Sequence, residues 1–210
     1  MPDPARTDGT DGRAPRVRNR WGEGERLRAD ILEAASRLLS DLDDEDGLTI
    51  RGVARVAGIA PASIYPHFDD RDALVDGLLT YESERLGGLL DQAETTGEGP
   101  MGRVRAQLRA YCDFAVANPG HYRILFRRRA RDLSPPGSPG PAHEIAARFT
   151  DALQRCADAG YTLRLPASRA GIVVFVATHG RVALFHSYSA ERNATRLHSF
   201  IDEILSLVVE

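Results

Sequence analysis

The chain has 210 residues, enough for one large or two small domains with real cores, and its 42% hydrophobic and 27% charged residues are ordinary for a soluble globular protein. All 27 basic residues are arginine and the net charge is −3, which excludes a uniformly basic nucleic-acid binder; any such contact must come from where charge is placed. No run approaches the ~20 apolar residues that span a bilayer, and residues 1–24 lack the apolar core of a signal peptide, so a cytoplasmic, nucleoid-associated protein with no membrane partner is expected.

Residues 1–24, rich in Pro, Gly, Asp and Arg, predict a disordered arm. Its Arg13, Arg16, Arg18 and Arg20 suit either a minor-groove contact or a solubilising tail. A helix follows at about 25–40, with Leu27, Ile31, Ala34, Ala35, Leu38 and Leu39 on one face. The acidic run Asp41 to Gly47 ends it and lacks the spacing of a calcium loop, so it reads as a solvated loop. Thr49 caps a short second helix, Gly58 breaks it, and Pro61 starts a third that closes at Phe68. Asp69 or Asp70 caps a fourth, running to about Leu90. Further helices are predicted at about 101–117, 120–131, 142–159, 166–188 and 194–209, with a Pro/Gly-rich loop at 134–141. The fold class is all-α, about nine helices and no strands. The expected domains are 25–80 and 81–210, divided inside the fourth helix.

The segment TIRGVARVAGIAPASIYPHF, Thr49 to Phe68, carries the function. Two short helices cross steeply only where the contact residues are small and the turn tolerates positive φ. Ala54 and Gly58 meet those needs, and Val53, Ala57, Ile59 and Ile64 fall where the inner faces meet. This is helix-turn-helix spacing. The run GIAPASIYPHFDDRDALV resembles the recognition segment of the TetR family of transcriptional regulators, most strongly over about 25–80. NPGHYRILF and ATHGRVALFHS resemble that family's effector domains, notably a subgroup named for a Trp-His-Gly motif; Thr178 stands where the Trp would be.

The resemblance implies DNA contacts by Thr49, Ser63, Tyr65, His67 and Arg71; the small Ala62 joins them on its own chemistry, and Phe68 reads as a core aromatic. Hydroxyls at Thr49 and Ser63 suit phosphates or base edges, Ala62 a thymine methyl, and Tyr65, His67 and Arg71 the phosphate backbone. Ala60 lacks a capping side chain, and Pro66 cannot donate to the carbonyl of Ala62, so a short reading surface is expected.

In the C-terminal half, Tyr111, Phe114, Tyr122, Phe126, Phe149, Phe175 and Phe185 come from helices that surround a common centre. With Cys112, His121, Thr178 and His179 they fit either a mainly apolar ligand pocket or an ordinary core. Arg127, Arg128, Arg129 and Arg131 suit an anion site or, more plainly, cations at a helix C-terminus. The two cysteines and the histidines lack metal-ligand spacing and no nucleophile arrangement is visible, so neither metal, cofactor nor catalysis is expected. The 171–177 run is apolar almost all round, and Phe200, Ile201, Ile204, Leu205 and Val208 form a stripe on the last helix; together they predict a four-helix dimer interface. The expected function is a homodimeric repressor on operator DNA, released by a small apolar or aromatic effector. The alternatives are a regulator whose C-terminal half only dimerises and a helical Cys/His enzyme.

Overall fold

The structure, a computed structural model, describes residues 23–42, 45–127, 140–188 and 194–210. The arginines of the N-terminal arm, and Arg128, Arg129 and Arg131, lie outside the described residues. Eight α-helices are described: α1 Glu23–Ser40, α2 Ile50–Ala57, α3 Arg71–Thr96, α4 Gly99–Ala117, α5 Pro119–Arg127, α6 Pro141–Asp158, α7 Ala167–Ser187 and α8 Ala194–Val208. An isolated antiparallel bridge, Leu163 with Val209, is the one extended pairing among the described residues.

Local chemistry explains the boundaries. Thr49 is extended and its Oγ1 accepts the Gly52 N–H at 3.0 Å, capping α2 as expected. Gly58 ends α2 at φ 69°, a left-handed conformation that costs glycine little. Asp70 caps α3, accepting the Ala73 N–H at 2.7 Å. The helix then runs past Leu90 to Thr96.

One predicted helix is not an α-helix. Pro61–Ser63 is a single 3₁₀ turn, followed by turns to His67. Ala60 supplies no side-chain cap, and neither Pro61 nor Pro66 has an N–H to donate. What remains is Ser63 N–H to the Ala60 carbonyl (2.9 Å), Ile64 to Pro61 (3.2 Å), and both His67 (2.9 Å) and Phe68 (3.0 Å) to Ile64. The short reading surface is thus shorter than a helix.

A continuous core runs from Ile31, Leu39, Val53, Ile64 and Phe68 through Leu78 and Leu86 of α3 into Leu108, Phe149, Val174 and Ile201. α3 serves both ends, and α6 with α7 is the most extensively packed helix pair. α7 is also, by length and mean hydropathy, long and apolar enough to cross a membrane, more than composition suggested. Its inner residues Ala170, Val174, Thr178 and Val182 are buried in the fold.

Candidate nucleic-acid interface and effector core

Thr49, Ala62 and Tyr65 are exposed, and Ser63 and His67 half-buried, on the outer side of the turn region. Tyr65 is 53% exposed while Ile64 and Phe68 are buried, so adjacent residues divide between surface and core. Phe68 is held by Arg28, whose guanidinium lies 5.0 Å over the ring, and by Gly77, where an added Cβ would stand 2.6 Å from the ring edge. Arg71 is tied into the fold. Its Nε donates to the Leu48 carbonyl at 2.8 Å, and its guanidinium lies 3.5 Å from Asp72. The bond to Leu48 joins the start of α3 to the loop before α2. Two further arginines, Arg51 and Arg55, are exposed one turn apart on α2. Their four-residue spacing on so short a helix is the sequence signal that places them on one face.

In the C-terminal half the aromatic residues do converge. Tyr111 is fully buried and meets Tyr122, Phe126, Phe149 and Phe175 edge-on at 6.2–6.5 Å between ring centroids. The hydroxyls of Tyr111 and Tyr122 lie 3.0 and 2.8 Å from one atom, Nδ1 of His179. Thr178 Oγ1 is buried with no hydrogen-bond partner among the described residues. Cys112 is buried in the same region, and burial pushes its thiol up to about 12, so it is an unreactive thiol.

Two expected members do not join this cluster. Phe114 lies under the Arg85 guanidinium at 5.6 Å, and His121 faces α1 and α3. Phe185 sits at the edge, against His186. Among the described residues, one open cavity of about 290 Å³ lies between α3 and α6 at Leu79, Gly87 and Ile145, and another of about 400 Å³ at Thr96, Arg105 and Arg109.

Burial pushes the His179 imidazole below its ordinary value of 6.5. Because protonation is disfavoured in the folded state, the resulting stability is complete above about pH 6.5 and lost as the pH falls toward the lower folded value. Thermal unfolding from pH 7.5 to 5 should therefore show a shallower fall for His179→Phe than for the wild type. Equal slopes would refute this role.

The last-helix stripe requires correction. Ile201, Ile204, Leu205 and Val208 are buried within their own protomer, and Phe200 is half-buried. α8 packs this face on α4 and α7, alongside an ion pair from Arg105 to Asp202 (2.6 Å) and a hydrogen bond between His198 Nε2 and Asp113 Oδ1 (2.8 Å). The apolar side chains left outward are Ile172, Val173, Val176 and Leu184 of α7 and Leu207 of α8.

Two family models match the chain. One, described as bacterial regulatory proteins of the tetR family, covers residues 31–78; the other, the tetracyclin repressor-like C-terminal domain, covers residues 104–204. Among solved structures, one described as the molecular basis for control of antibiotic production by bacterial hormones is 18% identical, covers 88% of this chain and 98% of its own, and has a TM-score of 0.74. A TetR-family regulator from Rhodococcus sp. is 19% identical over 87% of this chain and 98% of its own, TM-score 0.67. SmeT, the repressor of a Stenotrophomonas maltophilia multidrug efflux pump, is 17% identical over 87% of this chain and 90% of its own, TM-score 0.68; it is also known in complex with triclosan.

Proposed function

The chain belongs to the TetR family of transcriptional regulators, and from that premise we propose that it is a homodimeric repressor released from its operator by a small apolar or aromatic ligand. Residues up to about 80 would hold DNA and residues from 81 would sense and dimerise. One observation carries the DNA reading. Thr49, Arg51, Arg55, Ala62 and Tyr65 are exposed on the two sides of the Gly58 turn, while Val53, Ile64 and Phe68 lock it from beneath. Arg51 and Arg55 would take phosphates, and Ala62 and Ser63 base edges. In a two-fold dimer the two turns would enter successive major grooves, about 34–36 Å apart.

The test is a gel-shift series against duplexes flanking the gene, repeated across salt. Arg55→Ala should weaken binding to all sequences and flatten the slope of log affinity against log salt by about one unit. A wild-type protein that prefers no sequence at moderate salt would sink the repressor reading.

The sensing reading rests on the Tyr111 cluster, which offers rings for an apolar ligand and three polar groups to orient it. That SmeT takes triclosan, a chlorinated aromatic, is consistent with such a ligand. The second reading, a C-terminal half that only dimerises, draws support from the ring-to-ring packing of the same residues. A thermal-shift screen of hydrophobic compounds, followed by operator titration with each hit, separates the two. A coupled ligand should weaken operator binding about 5- to 150-fold; a hit that leaves it unchanged rejects the switch.

A further inference from the structure

Three consecutive residues at the start of α5 connect the aromatic core to the first helix of the DNA-binding half. Gly120 makes the approach possible: a Cβ there would stand 2.7 Å from the Leu39 carbonyl oxygen of α1. His121 turns toward α1 and α3. Its Nε2 lies 3.0 Å from the Ser36 carbonyl oxygen, 3.3 Å from Ser36 Oγ and 3.6 Å from Glu82 Oε1. Tyr122 turns the other way. Its hydroxyl reaches His179 Nδ1 at 2.8 Å, and its ring is flanked by those of His179 and His186 at 5.5 and 5.4 Å.

The His121 site is buried but incompletely paired. His121 is 1% exposed, Glu82 0% and Ser36 8%. Glu82 Oε2 accepts from Arg85 at 3.1 Å, yet Glu82 Oε1 and His121 Nδ1 have no hydrogen-bond partner among the described residues. A buried acceptor left unbonded is costly, and the low dielectric of a buried site raises both that cost and the strength of any bond that relieves it. His121 Nε2 therefore stands between two acceptors on two helices: bonded to the α1 carbonyl, and just out of reach of the α3 carboxylate.

We propose that His121 is a positioning residue that holds α1 through Ser36 and hands its N–H to Glu82 when Tyr122 is displaced in the aromatic core. This rests on the reading that the C-terminal half controls the DNA-binding half. It differs in its route, since the hold passes through α1 and not only through the shared helix α3. The hand-off supplies the discrete two-state element that coupling between distant sites requires. A movement of Nε2 by roughly half an ångström toward Glu82 Oε1 would bring that pair, now 3.6 Å apart, within hydrogen-bond range.

The experiment needs no effector. Hydrogen exchange in the last turn of α1, residues 36–40, is followed by mass spectrometry in the full-length protein, beside operator binding by the wild type. Tyr122→Phe removes the hydroxyl from His179 and should speed exchange there about 2- to 10-fold, the range one hydrogen bond spans. The effect should persist in His121→Gln, whose amide N–H can still reach the Ser36 carbonyl, and vanish in His121→Leu. Glu82→Gln weakens the competing acceptor and should slow exchange in the same turn, a second reading should His121→Leu fail to fold. Equal Tyr122→Phe effects with and without His121, no effect on α1 at all, or unchanged or faster exchange in Glu82→Gln each overturn the proposal. Because no ligand enters, failure of the effector screen leaves this result standing, and the reverse holds too.

Discussion

Gly180→Leu is expected to dissociate the proposed dimer while leaving the protomer at least as stable as before. Gly180 lies in the middle of α7, where glycine costs about 1 kcal/mol relative to alanine. Among the described residues no packing contact explains it: a Cβ there meets no atom within 4 Å. Its neighbours at four-residue steps do. Ile172, Val176 and Leu184 are 54%, 59% and 46% exposed, and Gly180 interrupts that apolar row. A row of unpartnered apolar side chains with a gap is what a second helix needs for close approach. Leucine would fill the gap on both subunits. Overpacking costs about 1–3 kcal/mol per site, so about 2–6 kcal/mol across a two-fold interface, or roughly 30- to 10⁴-fold in dimer affinity. Operator binding should fall with it, because two half-sites then bind independently. Sedimentation at micromolar concentration checks the first claim and thermal unfolding the second. A Gly180→Leu protein that sediments as a dimer rejects this face, and Val176→Asp should behave like it if the face is right.

The sequence and the structure agree wherever one residue's own chemistry decides the outcome. Thr49 caps, Gly58 turns, Asp70 caps and Phe68 goes inward because each acts on its immediate neighbours. Agreement fails where two neighbours compete for one face. The stripe Ile201, Ile204, Leu205 and Val208 announces that α8 buries something, but periodicity is the same whether α4 or a partner covers it. In α7 the unbroken run Ile172 to Ala177 hides which side is which, and only packing against α6 separates Val174 from Val176. His121 is the extreme case. Its partners Ser36 and Glu82 are distant along the chain, and no local signal distinguishes it from His179, which does join the aromatic cluster. The recognition turn was half legible: Pro66 signalled an early end, but the loss of the whole α-helix needed the missing cap at Ala60 as well.

A second glycine on the same helix predicts the opposite result. Gly171→Ala removes the same helix penalty, about 1 kcal/mol, and would stabilise an unobstructed helix. It is expected to destabilise this one. Gly171 is buried against α6, where an added Cβ would overlap Thr150 Oγ1 and stand 2.6 Å from both the Thr150 amide nitrogen and its Cα. A side chain could rotate aside, but those two backbone atoms cannot, so α6 and α7 must part. Overpacking of this kind costs about 1–3 kcal/mol and more where backbone has to move, which exceeds the propensity gain. A net loss of about 2 kcal/mol lowers the melting temperature by about 4–8 °C in a chain of this length, at fixed protein concentration. Thr150→Ala should not rescue it, since it removes the hydroxyl and leaves both backbone contacts in place. The consequence reaches the aromatic core, because Phe149 adjoins Thr150 and Phe175 lies one turn from Gly171, their rings 6.5 Å apart. Parting the helices loosens that ring contact and opens the Tyr111 cluster. The variant should therefore melt earlier yet take up apolar probes such as 1-anilinonaphthalene-8-sulfonate more readily before it unfolds. A protein with an unchanged or higher melting temperature would show that α6 yields at no cost, and would remove the close approach at Gly171 as a determinant of the fold.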